Sequence, residues 1–377
     1  MVNLNDLFKS LEQTGVDFFT GVPDSLLNDF CLYLTHNKSK TEHVMAANEG
    51  NAIGIATGHY LSTGHIPVVY MQNSGIGNAM NPLLSLTHSC VYSIPMILVI
   101  GWRGDPSTKD HAQHKKQGDL TPVLMKDMDI PYIILDDDNT VINKFLWALS
   151  KTKEISSPVA LIAKKGVLTK KEKIQYYPPS RLMSREEAIS AVIDVLGEKA
   201  IYLATTGRTT RELHEQLLSH GISQGNEFLN VGAMGHLSSI GLGMALGSPN
   251  KQIIVFDGNA SAVMHMGSLA TNGRYQPQNL IHIVLNNGVN ESVGGQESCG
   301  STMNLTKVAE GCNYFTPFPF VEKKKDLQSL IRQLSKKNIL AFIDVHVRQG
   351  IRDDLPKLHI NHNDQKSNLM NYFKKQQ

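Results

Sequence analysis

The stretch VFDGNASAVMHMG, residues 255–267, starts apolar, breaks at Gly258 and resumes at helical spacing. Asp257 and Asn259 flank the break. A strand-to-helix junction carrying an acid and an amide can hold a phosphate or a metal ion. One strand–helix–strand unit further along, LIHIVLNNG ends in two consecutive asparagines, Asn286 and Asn287. Asparagine is a poor strand former, so the pair needs a reason such as coordination or a turn. Mg²⁺ takes oxygen ligands in an octahedron and usually keeps substrate phosphates in its shell. Carboxamides and carboxylates from two adjacent strand ends, with one backbone carbonyl, could fill the remaining positions.

Other polar residues also follow apolar runs. In GVPDS, Gly21 and Pro23 set a turn, and Asp24 or Ser25 either caps the next helix or touches a substrate. Glu49 stands where HVMAA hands over to a helix whose Gly50, Ala52, Gly54, Ala56 and Gly58 keep its surface small. Taken alone, that carboxylate reads as a first-turn acid favoured by the helix dipole. QNSGIGN offers Asn73, Ser74 and Asn78 on a glycine-freed backbone, without the full dinucleotide fingerprint. The long loop GWRGDPSTKDHAQHKKQGD carries Arg103, Lys109, Lys115 and Lys116, which could receive an anionic substrate or simply be solvated. TTGRTTREL places hydroxyls and Gly207 at a helix start, a plausible phosphate seat. Gly232 and Gly235 bracket Met234, and methionine in such a place is usually core packing.

These residues need elements to hold them. Eleven short β-rich apolar runs alternate with helical patterns, from VDFFTG to AFIDVHV. Runs that are apolar throughout suit strands covered on both faces, hence parallel sheets with crossover helices. The fold class expected is α/β, with two open, mainly parallel sheets flanked by helices, and ligands seated beyond the carboxyl ends of the strands. Domains are expected at 1–165 and 185–352, with a charged, then aromatic and Pro-rich linker at 166–184 and a polar tail at 353–377. The tail is either disordered or a short docking helix. The 377 residues suffice for two cores. Lys and Arg number 36 against 34 Asp and Glu, a net charge of +2, which gives no reason to expect nucleic acid or an anionic membrane. Four scattered cysteines without a CxxC pair read as reduced thiols. No apolar run reaches the length of a membrane span, and the N-terminus lacks a signal-peptide core, so a soluble cytoplasmic protein is expected.

The motifs GVPDSLL, ANEGNA, PVVYMQNSGIGNAMNPL, GWRGDP, QHKKQG, TTGRTTREL, VGAMGH, MHMGSLAT, NLIHIVLNNG, ESVGGQ and GIRDDL span about residues 20–355. Together they resemble the thiamine diphosphate-dependent decarboxylases, and within them the branch acting on phosphonate- and sulfonate-bearing 2-keto acids. The resemblance implies a pyrimidine-binding first domain, a diphosphate-binding second domain and no third, central domain. It implies thiamine diphosphate and Mg²⁺ as cofactors, and phosphonopyruvate as substrate in phosphonate (2-aminoethylphosphonate-type) biosynthesis, with sulfopyruvate or another 2-keto acid as alternatives. Active sites would lie between subunits of a homodimer or larger homo-oligomer. Residue by residue, Glu49 matches the acid that bonds the aminopyrimidine ring. The Gly232 carbonyl matches the acceptor from its amino group. Met234 matches the wedge that bends the cofactor, while Thr206, Gly207 and Ser261 match the diphosphate contacts, beside Gly258 and Ala260. Asn259, Asn287 and the Val289 carbonyl match the Mg²⁺ ligands. The substrate phosphonate, dianionic near neutral pH, calls for cations and helix starts, with Ser25, Asn73, Ser74, Asn78, Arg103, His114, Lys116 and Arg352 as candidates. His114 is also a candidate proton donor, since His titrates near neutrality.

Two departures stand out. The family's Gly-Asp-Gly reads Gly258-Asn259-Ala260, and the usual His before ESVGGQ is Asn290. An amide oxygen can still coordinate Mg²⁺ but brings no charge, so weaker metal and cofactor binding is expected. Asp257, on the same strand face two residues earlier, could assist or substitute. A catalytically weakened paralogue is the third reading, against which the retained Glu49 and Met234 argue.

Overall fold

A computed structural model describes residues 2–168, 180–222 and 224–374 of the chain. The part of the expected linker at 169–179 lies outside the described residues. Contacts divide the chain into two compact units, Met1–Gln175 with Val293–Gln296, and Tyr176–Ser292 with Glu297–Gln377.

In the first unit, six of the apolar runs become parallel strands: β1 (Phe19–Gly21), β2 (His43–Met45), β3 (Val68–Gln72), β4 (Ile97–Gly101), β5 (Tyr132–Leu135) and β6 (Val159–Ala163), in sheet order β2-β1-β3-β4-β6-β5. The register pairs Phe19 with Val68 and Val68 with Ile97. Alternate residues feed two cores. Val68, Tyr70, Ile97 and Val99 pack with helices α1 (Leu4–Gln13), α2 (Asn28–Asn37) and α6 (Val141–Ile155). Val69, Met71, Leu98 and Ile100 pack with α3 (Glu49–Thr63), α4 (Ile76–Pro82) and α5 (Ala112–Asp127). Burial on both faces is why these strands are apolar without alternation.

In the second unit, β7 (Ala200–Ala204), β8 (Glu227–Leu229), β9 (Gln252–Gly258), β10 (Leu280–Asn286) and β11 (Ala341–His346) form a parallel sheet in the order β11-β10-β9-β7-β8. Tyr202, Ile254, Phe256, Ile283 and Ile343 share one core with α7 (Arg185–Leu196), α8 (Arg208–Ser219) and α13 (Lys324–Leu334). Against the sheet also lie α9 (Leu237–Gly247), α10 (Asn259–Met264) and α12 (Leu305–Gly311), with α11 (Gly267–Tyr275) packed on α9. The C-terminal segment ends in a docked helix, α14 (His362–Lys374), whose Tyr372 hydroxyl donates to the Glu198 carbonyl at 2.7 Å.

The strand order reverses between β1 and β3 in the first unit, and again at its edge where β6 lies between β4 and β5, and between β7 and β9 in the second. In open α/β sheets the ligand crevice opens at such a reversal, beyond the carboxyl ends of the strands. Among the described residues no helix is long and apolar enough to cross a membrane.

Candidate active site

In the first unit the loops after β1, β3 and β4 are tied together. Asp24 caps the turn after β1, accepting from Leu26 N at 3.2 Å, so the capping role falls to Asp24. Ser25 is left to accept from Arg103 Nη1 at 3.2 Å. Asp110 holds the same guanidinium through Nε at 2.8 Å and Nη2 at 2.6 Å. Burial opposes the charge on Asp110, yet the bonds from Arg103, His111 N and Gly104 N hold its carboxyl well below the usual range. The long basic loop is therefore folded around one bidentate ion pair, with Arg103 partly buried and Lys116 exposed.

Asn73 and Asn78, both expected near the substrate, have other partners. Asn73 donates to the Arg103 carbonyl at 2.8 Å and to Thr121 Oγ1 at 2.9 Å, and accepts from Arg103 N at 3.2 Å, so its carboxamide clamps β3 to the β4 loop. Asn78 donates to Glu49 Oε2 at 2.7 Å. Ser74 stays exposed and accepts from Gln72. Glu49 is 5 % exposed, at the first turn of α3, capped by Asn48. Its carboxylate lies over Gly75, where a Cβ would stand within 3.0 Å of Oε1, Cδ and Cγ. Position 75 thus has to be glycine for Glu49 to sit where it does. Burial, one fixed donor and a close backbone give Glu49 a defined pose, which a simple surface helix-start acid would lack.

The expectation that His114 titrates near neutrality does not survive the structure. Burial first, and then the Arg103 cation, push its imidazole down to about 4. It is neutral at pH 7 and can act there only as a neutral donor or acceptor.

In the second unit the β7–β9 reversal is bridged by Thr205, whose N donates to the Phe256 carbonyl and whose Oγ1 donates to Ser261 Oγ, each at 2.9 Å. Ser261 Oγ also accepts from Gly235 N at 3.1 Å, bringing in the loop after β8. Three strand ends thus meet at Ser261, with Thr206 and Gly207 directly following Thr205. Thr205 itself escaped the sequence reading; the signal was the doubled threonine before Gly207. The loop carrying Gly232 and Met234 is conformationally strained: Ala233 has φ +42° and Gly235 φ +84°. A side chain at 235 would meet His265 Cδ2 at 2.6 Å. Such backbone is kept where it positions something, and it leaves Met234 half-exposed with its carbonyl 3.2 Å from His236 Nδ1.

The expected metal residues occupy one corner. Asn259, the first residue of α10, is buried and its amide donates to Ser298 Oγ. Ser298 N donates to the Gly288 carbonyl at 3.0 Å, joining α10 to the loop after β10. Asn287 donates to Glu291 Oε2 at 3.0 Å and accepts from Val289 N at 3.2 Å. Both carboxamides therefore commit their nitrogens to protein acceptors and keep oxygen lone pairs, as a hard cation requires. The donor set fits Mg²⁺ with phosphate oxygens beside it. Among the described residues no group of three or more His, Cys, Asp or Glu could hold a metal ion. Gly258 and Ala260 flank Asn259 and are half-buried.

Two residues lie apart from these clusters. Asp257 turns onto the buried face of β9, with Oδ2 3.4 Å from His282 Nε2 and Oδ1 accepting from Gly258 N. Arg352 is engaged by Glu186 at 3.0 Å, Glu215 at 3.4 Å and Asp354 at 3.0 Å. Glu291, Arg185, Arg208 and Ser298 were not foreseen.

Comparison with known proteins bears on these clusters. A family model described as the thiamine pyrophosphate enzyme N-terminal TPP binding domain matches residues 4–123, and the C-terminal TPP binding domain matches 206–345. A phosphonopyruvate decarboxylase of Streptomyces viridochromogenes is 32% identical over 330 residues, covering 83% of this chain and 81% of that protein. A sulfopyruvate decarboxylase of Methanosarcina acetivorans is 27% identical over 370 residues, 90% of each chain. Among solved structures, a thiamine diphosphate-dependent 4-hydroxybenzoylformate decarboxylase of Rhodococcus jostii shares 12% identity at a TM-score of 0.39, over 94% of this chain and 100% of that one.

Proposed function

The chain belongs to the thiamine pyrophosphate enzymes, and from that premise we propose that it decarboxylates phosphonopyruvate to phosphonoacetaldehyde and CO₂, with Mg²⁺ and as a homo-oligomer, in phosphonate biosynthesis. The bound cofactor would supply the electron sink that carbon–carbon cleavage next to a carbonyl needs. Glu49, with Oε2 held by Asn78 and little water around it, would share a proton with the aminopyrimidine ring through Oε1. Met234, on its strained loop, would support the bent cofactor. Ser261, Thr206 and Gly207 would face the diphosphate, and Asn259, Asn287 and the Val289 carbonyl the metal.

Arg103, steadied by Asp110 and Ser25, is the cation best placed by its own loop to meet the phosphonate, with Lys116 adding charge from the surface. Arg352 has its charge offset by three carboxylates and supports this reading less. The observation that carries the proposal is Glu49: a buried carboxylate pinned by Asn78 above a glycine, in a chain one-third identical to a phosphonopyruvate decarboxylase. A sulfonate substrate is the second reading, favoured by the sulfopyruvate decarboxylase that aligns over 90% of the chain.

The test is direct. The protein is incubated with thiamine diphosphate, Mg²⁺ and, separately, phosphonopyruvate, sulfopyruvate or pyruvate, and CO₂ and aldehyde are measured. Turnover of phosphonopyruvate well above the others supports the proposal. Preference for sulfopyruvate favours the second reading, and inertness toward all three favours a catalytically weakened paralogue.

A further inference from the structure

Beside Asn287 lies a buried charge cluster that none of the roles above uses. Glu291, Arg185 and Glu212 are 7 %, 5 % and 2 % exposed. Arg185, the first residue of α7, makes a bidentate pair with Glu212 of α8, Nε and Nη2 each at 2.8 Å. Its Nη1 donates to Glu291 Oε2. Glu291 Oε1 accepts from Gly350 N and pairs with Arg208 Nη1 at 3.1 Å. Arg208 directly follows the Gly207 turn. One carboxylate therefore touches α7, the start of α8, the segment at Gly350 and Asn287 just after β10.

An ionised carboxylate only accepts hydrogen bonds. Both oxygens of Glu291 already accept, from two guanidinium groups and a backbone N–H. A carboxamide facing it must present its NH₂, never its oxygen. Asn287 does so, Nδ2 to Glu291 Oε2 at 3.0 Å, and Oδ1 is turned the other way, where Val289 N uses one lone pair and leaves the second. With the flip reversed, two acceptors would oppose each other inside a buried cluster, at a cost of about 1–3 kcal/mol or more. We infer that Glu291 is a positioning residue: it fixes the orientation of the Asn287 carboxamide so that oxygen, not nitrogen, is offered to a divalent cation, and it ties that choice to the Arg208 end of the diphosphate turn. The inference rests on the proposed Mg²⁺ role of Asn287. It matters more in this chain than in one with an acid at 259, because Asn259 brings no charge and each neutral oxygen counts for more.

The test measures binding rather than turnover. Metal-free protein is titrated with Mg²⁺ at fixed thiamine diphosphate, followed by calorimetry, and melting of the cofactor-free protein is recorded alongside. Glu291→Gln removes the acceptor-only partner. Glu291→Asp keeps the charge that Arg185 and Arg208 need but withdraws it from Asn287 by one methylene, so it reports even if the Gln variant does not fold. Partners of metal ligands typically alter affinity by ~10–100-fold. The Mg²⁺ midpoint is expected to rise about tenfold or more in Glu291→Asp, with the melting temperature of the cofactor-free protein lowered less than in Glu291→Gln and diphosphate affinity at saturating Mg²⁺ within about threefold. An unchanged midpoint in a folded Glu291→Asp overturns the inference. So does a uniform loss of stability and diphosphate affinity with no selective effect on the metal. Wild-type protein whose cofactor binding ignores Mg²⁺ would instead overturn the metal assignment beneath it.

Discussion

Replacing Gly75 with alanine should leave the fold intact while disabling Glu49. The backbone at 75 has φ −74° and ψ −13°, an ordinary right-handed conformation that alanine adopts freely. On backbone grounds alone the change should stabilise the chain by about 0.4–1 kcal/mol through the unfolded state. The new methyl, however, would stand within 3.0 Å of three Glu49 side-chain atoms. Ordinary contact needs ~3.5 Å or more, so the carboxylate would have to retreat by about 1 Å. That stretches or breaks its 2.7 Å bond from Asn78 and spoils its approach to an aminopyrimidine nitrogen. A misplacement of about 1 Å can cost ~10²-fold in rate, about 2.7 kcal/mol of barrier. The direct assay is proton exchange at C2 of enzyme-bound thiamine diphosphate, quenched and read by NMR, with CO₂ release and thermal melting in parallel. Gly77→Ala is the control, since a Cβ there meets nothing within 4 Å. A folded Gly75→Ala protein with C2 exchange and turnover within about threefold of wild type would refute the role given to Glu49.

Asn259→Asp should restore a charge to the proposed metal position while Ser298 reverses its hydroxyl to donate. The Mg²⁺ midpoint should fall on the order of tenfold, the low end of a ~1–4 kcal/mol Coulomb gain; no gain in a metal titration would count against Asn259 as a ligand. Asp257→Ala should lower stability by about 1 kcal/mol by taking the acceptor from the Gly258 N–H, with the Mg²⁺ midpoint unmoved; a shifted midpoint would put Asp257 back among the ligands. His43, by burial, and His114, by burial and then Arg103, are held at about 4 against an ordinary 6.5. Their folded forms resist protonation, so unfolding takes up protons between those values: this contribution to stability is complete above pH 6.5 and is lost as pH falls toward 4. Melting temperature measured from pH 7 to 4 should drop less steeply in a His43→Gln, His114→Gln double variant, and an identical slope would refute the assignment. For the same reason His114→Gln alone should lower turnover without removing a limb near pH 6.5 from the pH–rate profile.

How much of this was legible beforehand follows from the range of the interactions. The eleven apolar runs all became strands, because burial in a parallel sheet with helices on its faces writes itself into short consecutive apolar runs. The strand ends followed from that, and so did the loops worth reading. Which polar tip in a loop points inward did not. Asn73 and Asn78 share one short motif, yet Asn73 clamps the β4 loop and Asn78 holds Glu49 across 29 residues. Asn259 is set by Ser298, 39 residues on, and Glu291 by Arg185, 106 residues back. Local pattern carries no information about such partners. The titration of His114 was misjudged for the same reason, since Arg103 and the burial that depress it come from the folded loop. The family resemblance named Asn287 but could not say what turns its oxygen outward. That depends on Glu291, which reads along the chain as one more acid in a polar loop. Two arginines and the Gly350 N–H donate to it, and an acceptor engaged on both oxygens is what gives a neutral amide a fixed direction.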